Sequence, residues 1–336
     1  MLKGGFLKKL ITIFLVVAIL TIATFSLVSC KNDEGTVVKI NEVTHSVFYA
    51  PLYVAINNGY FEEVGLTIEL TNGGGSDKTM TAIMSGQADI GLAGPETAIY
   101  VNAGGSSNYP IVFGQLTTKD GSFLIGRNKV ENFNWSSLEG KEIIGGRKGG
   151  MPAMCLEYAL YKNGLVNGKN VTINYDVQFD LIASAFGAGT GDYCTMFEPV
   201  ATTYQNAGKG YIQTDVGSEA GTVPYTCFMA TKDYINDNQN TVKSFMKAIL
   251  KGIDFVMNND DLTVANALAP SFTGNSVDDL ASAVKAYKEI GAFKTSPIML
   301  KEDYDKLIDI LKFSKVLDKD VAFEDVIDNS IVESLK

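Results

Sequence analysis

Five short stretches of this sequence carry residue types that can hold or act on a small molecule. "HSVFY", His45 to Tyr49, sets the chain's only histidine beside two aromatics. Gly73-Gly74-Gly75-Ser76 and Gly94-Pro95-Glu96-Thr97 are glycine turns that lead into helix-like runs. "GGRKGGMPAM" holds Arg147, one of two arginines beside Arg127, together with Lys148, Gly149 and Gly150. Phe197-Glu198-Pro199 and Tyr225 complete the set. The free N–H groups at a helix start can hold a carboxylate, sulfonate or phosphate oxygen, and glycine lets the backbone approach closely. Arg147 and Lys148 beside their glycines suit the same chemistry. Glu96 pushes the other way: it repels an anion and suits a ligand rich in N–H donors.

Each stretch also has a plainer reading. Phe48 and Tyr49 either stack on a planar ligand or plug a core. His45 either donates to a ligand or sits in a bonded loop. Ser76, Asp77 and Thr97 are good helix caps, and Arg147 and Lys148 read equally as solvated turn residues. A lone histidine with no neighbouring nucleophile makes no acid–base pair, so no catalysis is expected and no cofactor is implied.

The elements that must position these residues alternate from Thr36 onward. "VVKINEV" reads as a strand, and "APLYVAINNGYF" as a helix with Pro51 in its first turn and Gly59 at its end. "LTIEL" is a strand, "KTMTAIMSG" a helix, "ADIGLAG" a strand and "PETAIYVNAG" a helix. A second run of the same kind follows: "SFLIG", "WSSLEGKEIIGG", a helix in "GGMPAMCLEYALYKNGL", then "VTINYDV" and "GDYCTMFEP". The tail is helical, and Val242, Phe245, Ile249, Ile253 and Val256 recur on one apolar face. This order predicts two α/β lobes with partly parallel sheets, a helical C-terminal tail and a ligand in the interlobe cleft. Segments near Gly114–Asp120 and Thr214–Tyr225 are expected to carry the chain between lobes.

The first thirty residues stand apart. Lys3, Lys8 and Lys9 precede an apolar run ending in Leu27-Val28-Ser29-Cys30. That is the pattern of a secretory signal, and Leu-Val-Ser-Cys looks like a lipobox, in which Cys30 is lipidated. An uncleaved membrane anchor is the alternative. Either way the remainder is expected outside the cytoplasm, tethered to the membrane. The expected plan is 1–29 signal, 30–36 tether, 37–118 first part of lobe 1, 119–222 lobe 2, and 223–336 return to lobe 1 with the tail. Removing the three signal lysines takes the formal charge from −10 to −13, so nucleic acid is a poor partner. Cys155, Cys194 and Cys227 leave an odd count and no CxxC pair, which argues against structural zinc.

"HSVFYAPLYVAINNGYFEEVGLTIEL", "MSGQADIGLAGPE" and "SLEGKEIIGGRKGG" resemble, in order and spacing, the SsuA/THI5-like (NMT1/THI5-type) solute-binding proteins of ABC importers. The resemblance covers roughly Val37 to Leu250. It implies a type II periplasmic-binding-protein fold whose lobes close over a small molecule. It also implies delivery to a membrane permease with its ATPase, by a monomer. The family's association with sulfonates and with thiamine pyrimidines leaves two ligand classes: an oxyanion such as nitrate, taurine or an alkanesulfonate, and a heteroaromatic such as a thiamine-precursor pyrimidine or a flavin. Aromatic and acidic candidates outnumber cationic ones here, which favours the heteroaromatic. The family's pyrimidine-making enzyme uses a lysine and a histidine with pyridoxal phosphate. The matching positions here are Ala93 and Thr97, and of that enzyme's cysteine cluster only Cys227 remains, in "PYTCFMA".

Overall fold

Short apolar runs between glycine turns build two five-stranded sheets in the computed structural model, which describes residues 35–335. The expected signal segment and Cys30 lie outside the described residues. Thr36 onward forms a compact unit with its own core.

The first sheet contains β1 (Thr36–Glu42), β2 (Leu66–Asn72), β3 (Ile90–Ala93), β4 (Pro110–Thr117) and β10 (Thr226–Thr231), in the order β2-β1-β3-β10-β4. β1 runs parallel to β2 and β3, with Ile40 opposite both Leu70 and Ile90; β10 is antiparallel to β3 and β4. Parallel neighbours need crossovers, and the helices Ala50–Asn57 and Ser76–Met84 supply them. β3 is buried at every residue because helices cover both faces of a central strand.

The second sheet repeats the plan. β5 (Ser122–Gly126), β6 (Glu142–Ile144), β7 (Thr172–Asn174), β8 (Tyr193–Phe197) and β9 (Tyr211–Asp215) lie in the order β7-β6-β8-β5-β9. β6, β7 and β8 are parallel, and β5 is antiparallel to β8 and β9.

The crossings are tighter than the sequence suggests. β4 continues through Thr117 with Gly114 inside it, where the missing Cβ makes room for the end of Met246. The first crossing is therefore 118–121. Thr214 and Asp215 still belong to β9, and the short helix Val216–Ala220 begins the return. β10, hidden in "PYTCFMA", is an unbroken buried run whose period gives no strand signal. Cys155, Cys194 and Cys227 are all free and buried.

The tail helix Gln239–Asn258 buries the five residues of its expected face and crosses the Ala50–Asn57 helix at Gly252. A Cβ at Gly252 would lie 2.1 Å from the carbonyl oxygen of Pro51, a backbone atom that cannot swing aside. Gly252→Ala gains about 1 kcal/mol of helix propensity but overpacks the crossing at about 1–3 kcal/mol. A lower urea midpoint with unchanged slope is the expected outcome, and an unchanged or higher midpoint would contradict the tight crossing.

Candidate ligand cleft

The strand ends of both sheets and the turns that follow them face one another across a cleft. Its floor is aromatic. Ser46 accepts the Phe48 N–H at 3.1 Å and donates its hydroxyl to the Glu198 carbonyl, which ties the start of lobe 1 to the end of β8. The Phe48 ring then lies 5.4 Å from Phe197, 5.6 Å from Tyr225 and 5.0 Å from Tyr287. Phe48 and Tyr49 are buried, so of the two readings open in the sequence the plug is the one observed, and neither ring offers a free face to a ligand.

His45 is committed as well. Its Nε2 donates to the Ser271 carbonyl at 2.8 Å, and its Nδ1 is 3.1 Å from Glu42 and 2.9 Å from the Tyr53 hydroxyl. Both ring nitrogens have protein partners, which corrects the expectation of a ligand donor. The bond to Glu42 raises the His45 pKa, and burial raises that of Glu42. Glu198 is likewise satisfied, accepting the Thr202 N–H at 2.9 Å and the Thr202 hydroxyl at 2.8 Å. It binds the first turn of the helix Val200–Asn206 that follows it and is not a free acceptor.

Above the floor, Gly74, Ser76, Arg147 and Gly150 do come together. They line one cavity with an interior of about 30 Å³, room for about two waters. The helices Ser76–Met84 and Met151–Lys162 both open on it, from opposite lobes, and neither Gly75 nor Gly150 at their starts supplies a side-chain cap. Gly149 stands just outside: its carbonyl accepts the Tyr100 hydroxyl across the cleft at 2.9 Å. The sequence reading missed Gln178 and Phe179, which close the cavity from the turn after β7. Phe179 also borders a second cavity of about 110 Å³ with Thr44, Met196, Phe197 and Val200. The available signal was an aromatic in the loop that follows a strand, where α/β folds bind ligands; with no glycine beside it, it did not stand out.

Glu96 is the exceptional group. Its side chain folds back over Gly94, where a Cβ would lie 1.9 Å from Oε2, so position 94 must be glycine for the carboxylate to sit there. Glu96 is fully buried, and neither carboxylate oxygen reaches a donor in good hydrogen-bonding geometry, although its own N–H and that of Met151 point toward it. Burial raises its pKa to about 7, partly offset by the charge of Arg147 and by the Met151 amide across the cleft. Thr97 donates to the Gly94 carbonyl at 2.7 Å and is buried, so its hydroxyl serves the turn. Asp120 is also pushed up to about 7 by burial; one oxygen accepts from Ser122, and the other faces the Tyr225 hydroxyl without reaching bonding geometry.

The comparisons with known proteins agree with this architecture. The profile described as "NMT1/THI5 like" matches residues 47–262. The chain belongs to the NMT1/THI5-like family. YtlA of Bacillus subtilis (strain 168), described as a candidate binding protein, is 39% identical over 312 residues, 93% of each chain. Among solved structures, the alkanesulfonate-binding protein SsuA from Xanthomonas axonopodis pv. citri, bound to MOPS, superposes with a TM-score of 0.70 at 17% identity, covering 88% of this chain and 99% of that one. The nitrate-binding protein NrtA from Synechocystis PCC 6803 gives 0.68 at 14% identity, covering 90% and 88%. At such identities the structural likeness is one of fold, and the fold of this NMT1/THI5-like chain is that of the periplasmic binding proteins. Ala93 is buried, and the Thr97 hydroxyl is already engaged with the Gly94 carbonyl.

The buried acids set a pH dependence. Glu96 and Asp120 hold more protons when buried than when unfolded, so stability is greatest below their ordinary values, near 4.5 and 3.8, and is lost as pH rises through about 7. We expect the ligand-free protein to lose thermal stability between pH 5 and pH 8. Glu96→Gln should flatten that decline; an equally steep decline would mean that Glu96 is not buried as a carboxyl.

Proposed function

We propose that this chain is the solute-binding subunit of an ABC importer. It is tethered outside the cell membrane through Cys30, closes its two lobes over a small molecule as a monomer, and presents the closed form to a permease and its ATPase. Binding shifts the population toward the closed form because that form holds the ligand more tightly. No bond is broken by this subunit.

The ligand best supported is an amino-substituted heteroaromatic, of the kind of a thiamine-precursor pyrimidine or a flavin. The observation that carries this is the Glu96 carboxyl, fully buried next to Arg147 of the cavity wall, with neither oxygen in good hydrogen-bonding geometry with a donor. A buried acceptor without a donor is costly, so its partner is sought in the ligand. The uncapped starts of Ser76–Met84 and Met151–Lys162, with Arg147, supply donors to the same region. A ligand edge presenting an N–H beside a ring nitrogen or oxygen satisfies both sets, with Phe179 offering a ring face at the cavity wall.

The second reading is an oxyanion: a sulfonate, taurine or nitrate. The two helix starts and Arg147 favour it, as do the ligands for which SsuA and NrtA are named, alkanesulfonate and nitrate. A simple oxyanion leaves Glu96 unanswered, whereas the ammonium of taurine would answer it.

The test is thermal unfolding of the chain from Lys31 onward, freed of carried-over ligand, against pyrimidines of the thiamine pathway, riboflavin, alkanesulfonates, taurine and nitrate. At a hundred times its Kd a ligand adds about 2.7 kcal/mol to the folded state. A shift with an aminopyrimidine or flavin is expected, and Glu96→Ala should weaken that binding about ten- to a hundredfold, the worth of hydrogen bonds to a charged group. A shift confined to nitrate and alkanesulfonates, unaffected by Glu96→Ala, would overturn the heteroaromatic reading.

A further inference from the structure

Asp77 and Lys78 are consecutive residues of opposite charge in the first turn of the Ser76–Met84 helix. Each meets an opposite charge from the other lobe. Arg147 Nε lies 3.6 Å from Asp77 Oδ1, and Lys78 Nζ lies 3.7 Å from Asp180 Oδ2. Arg147 comes from the turn after β6 and Asp180 from the turn after β7, so two separate segments of lobe 2 meet one helix turn of lobe 1. Gly74 makes the second contact possible: it adopts φ +72°, and a Cβ there would sit 3.1 Å from the Asp180 carboxylate. None of the four groups is needed to complete either sheet, and all are between 40% and 52% exposed.

We propose that the two pairs form a charge latch, which populates the closed form before ligand arrives and fixes the register in which the lobes meet. Half-exposed pairs of this kind are individually weak. They matter here because a small bias suffices to tip two states of similar energy. The inverted polarity supplies the register: a slip that brought Lys78 to Arg147 would set like charges together, and so would one that brought Asp77 to Asp180. Closure is therefore sensitive to salt, since exposed charges are screened. The latch rests on the reading of this chain as a closing, two-lobed binding protein, but not on any particular ligand.

The test is small-angle X-ray scattering of the ligand-free chain from Lys31 onward, in salt of about 0.01 M and about 1 M, where the screening length falls from about 30 to about 3 Å. At low salt the radius of gyration should approach the roughly 19 Å of a compact chain of this size, and it should rise at high salt. Lys78→Asp and Asp180→Lys should each give the larger value already at low salt, and K78D/D180K together should restore the smaller one. A radius indifferent to salt and to single reversals overturns the latch, as does one that is large throughout or a double variant as open as the singles. Because no ligand is used, such a result would leave the binding reading intact. Failure of every compound in the thermal panel would overturn the binding reading without touching the scattering result.

Discussion

Phe48 reaches from the first lobe into a pocket made by both, bounded by Phe197 from β8, Tyr225 from the second crossing and Tyr287 from the tail. It can do so because residue 121, in the first crossing, is glycine; a Cβ there would lie 2.5 Å from the ring. Both crossings and the tail are thus drawn against one side chain. The sheets are joined over an aromatic floor, and everything that can contact a solute must lie above it, on the turns that follow the strands. A fully desolvated aromatic of this size is a large share of the contact between the lobes, which is why the floor is the fixed point of the fold.

The same compactness sorts the buried acids. Glu42, Glu96, Asp120 and Glu198 are all buried, and burial raises the pKa of each. Glu42 is answered by His45 and Tyr53, Glu198 by Thr202 and Asp120 by Ser122. Of these four, only Glu96 has neither oxygen in good hydrogen-bonding geometry with a donor, the Met151 N–H and its own being the nearest. With the other three buried acids bonded, the incompletely answered carboxyl is the feature that binding chemistry explains best.

Much of the scaffold was legible in the amino-acid order. Alternation in "LTIEL", the proline-start and glycine-stop of the Ala50–Asn57 helix, and the five-residue stripe in Gln239–Asn258 are local signals, because backbone geometry and side-chain period act over a few residues. The glycine turns were legible for the same reason: Gly74 and Gly149 adopt positive φ that other residues resist. The repeated strand–helix order also limited the fold to an open α/β arrangement in two parts.

What the sequence could not carry is which of two chemically equivalent fates each polar or aromatic residue meets. His45 and Glu198 look as able to bind a ligand as Glu96 does, and Phe48 as able to stack as Phe179. The difference lies in partners distant along the chain: Ser271 for His45, the turn after β7 for the cavity wall, Gly121 for Phe48. Hydrogen bonds saturate and close packing excludes, so a residue's freedom to meet a ligand is what remains after its neighbours in space are served. The sequence by itself determined the elements, the turns and the charge. The tertiary structure alone decided which side chains were left over.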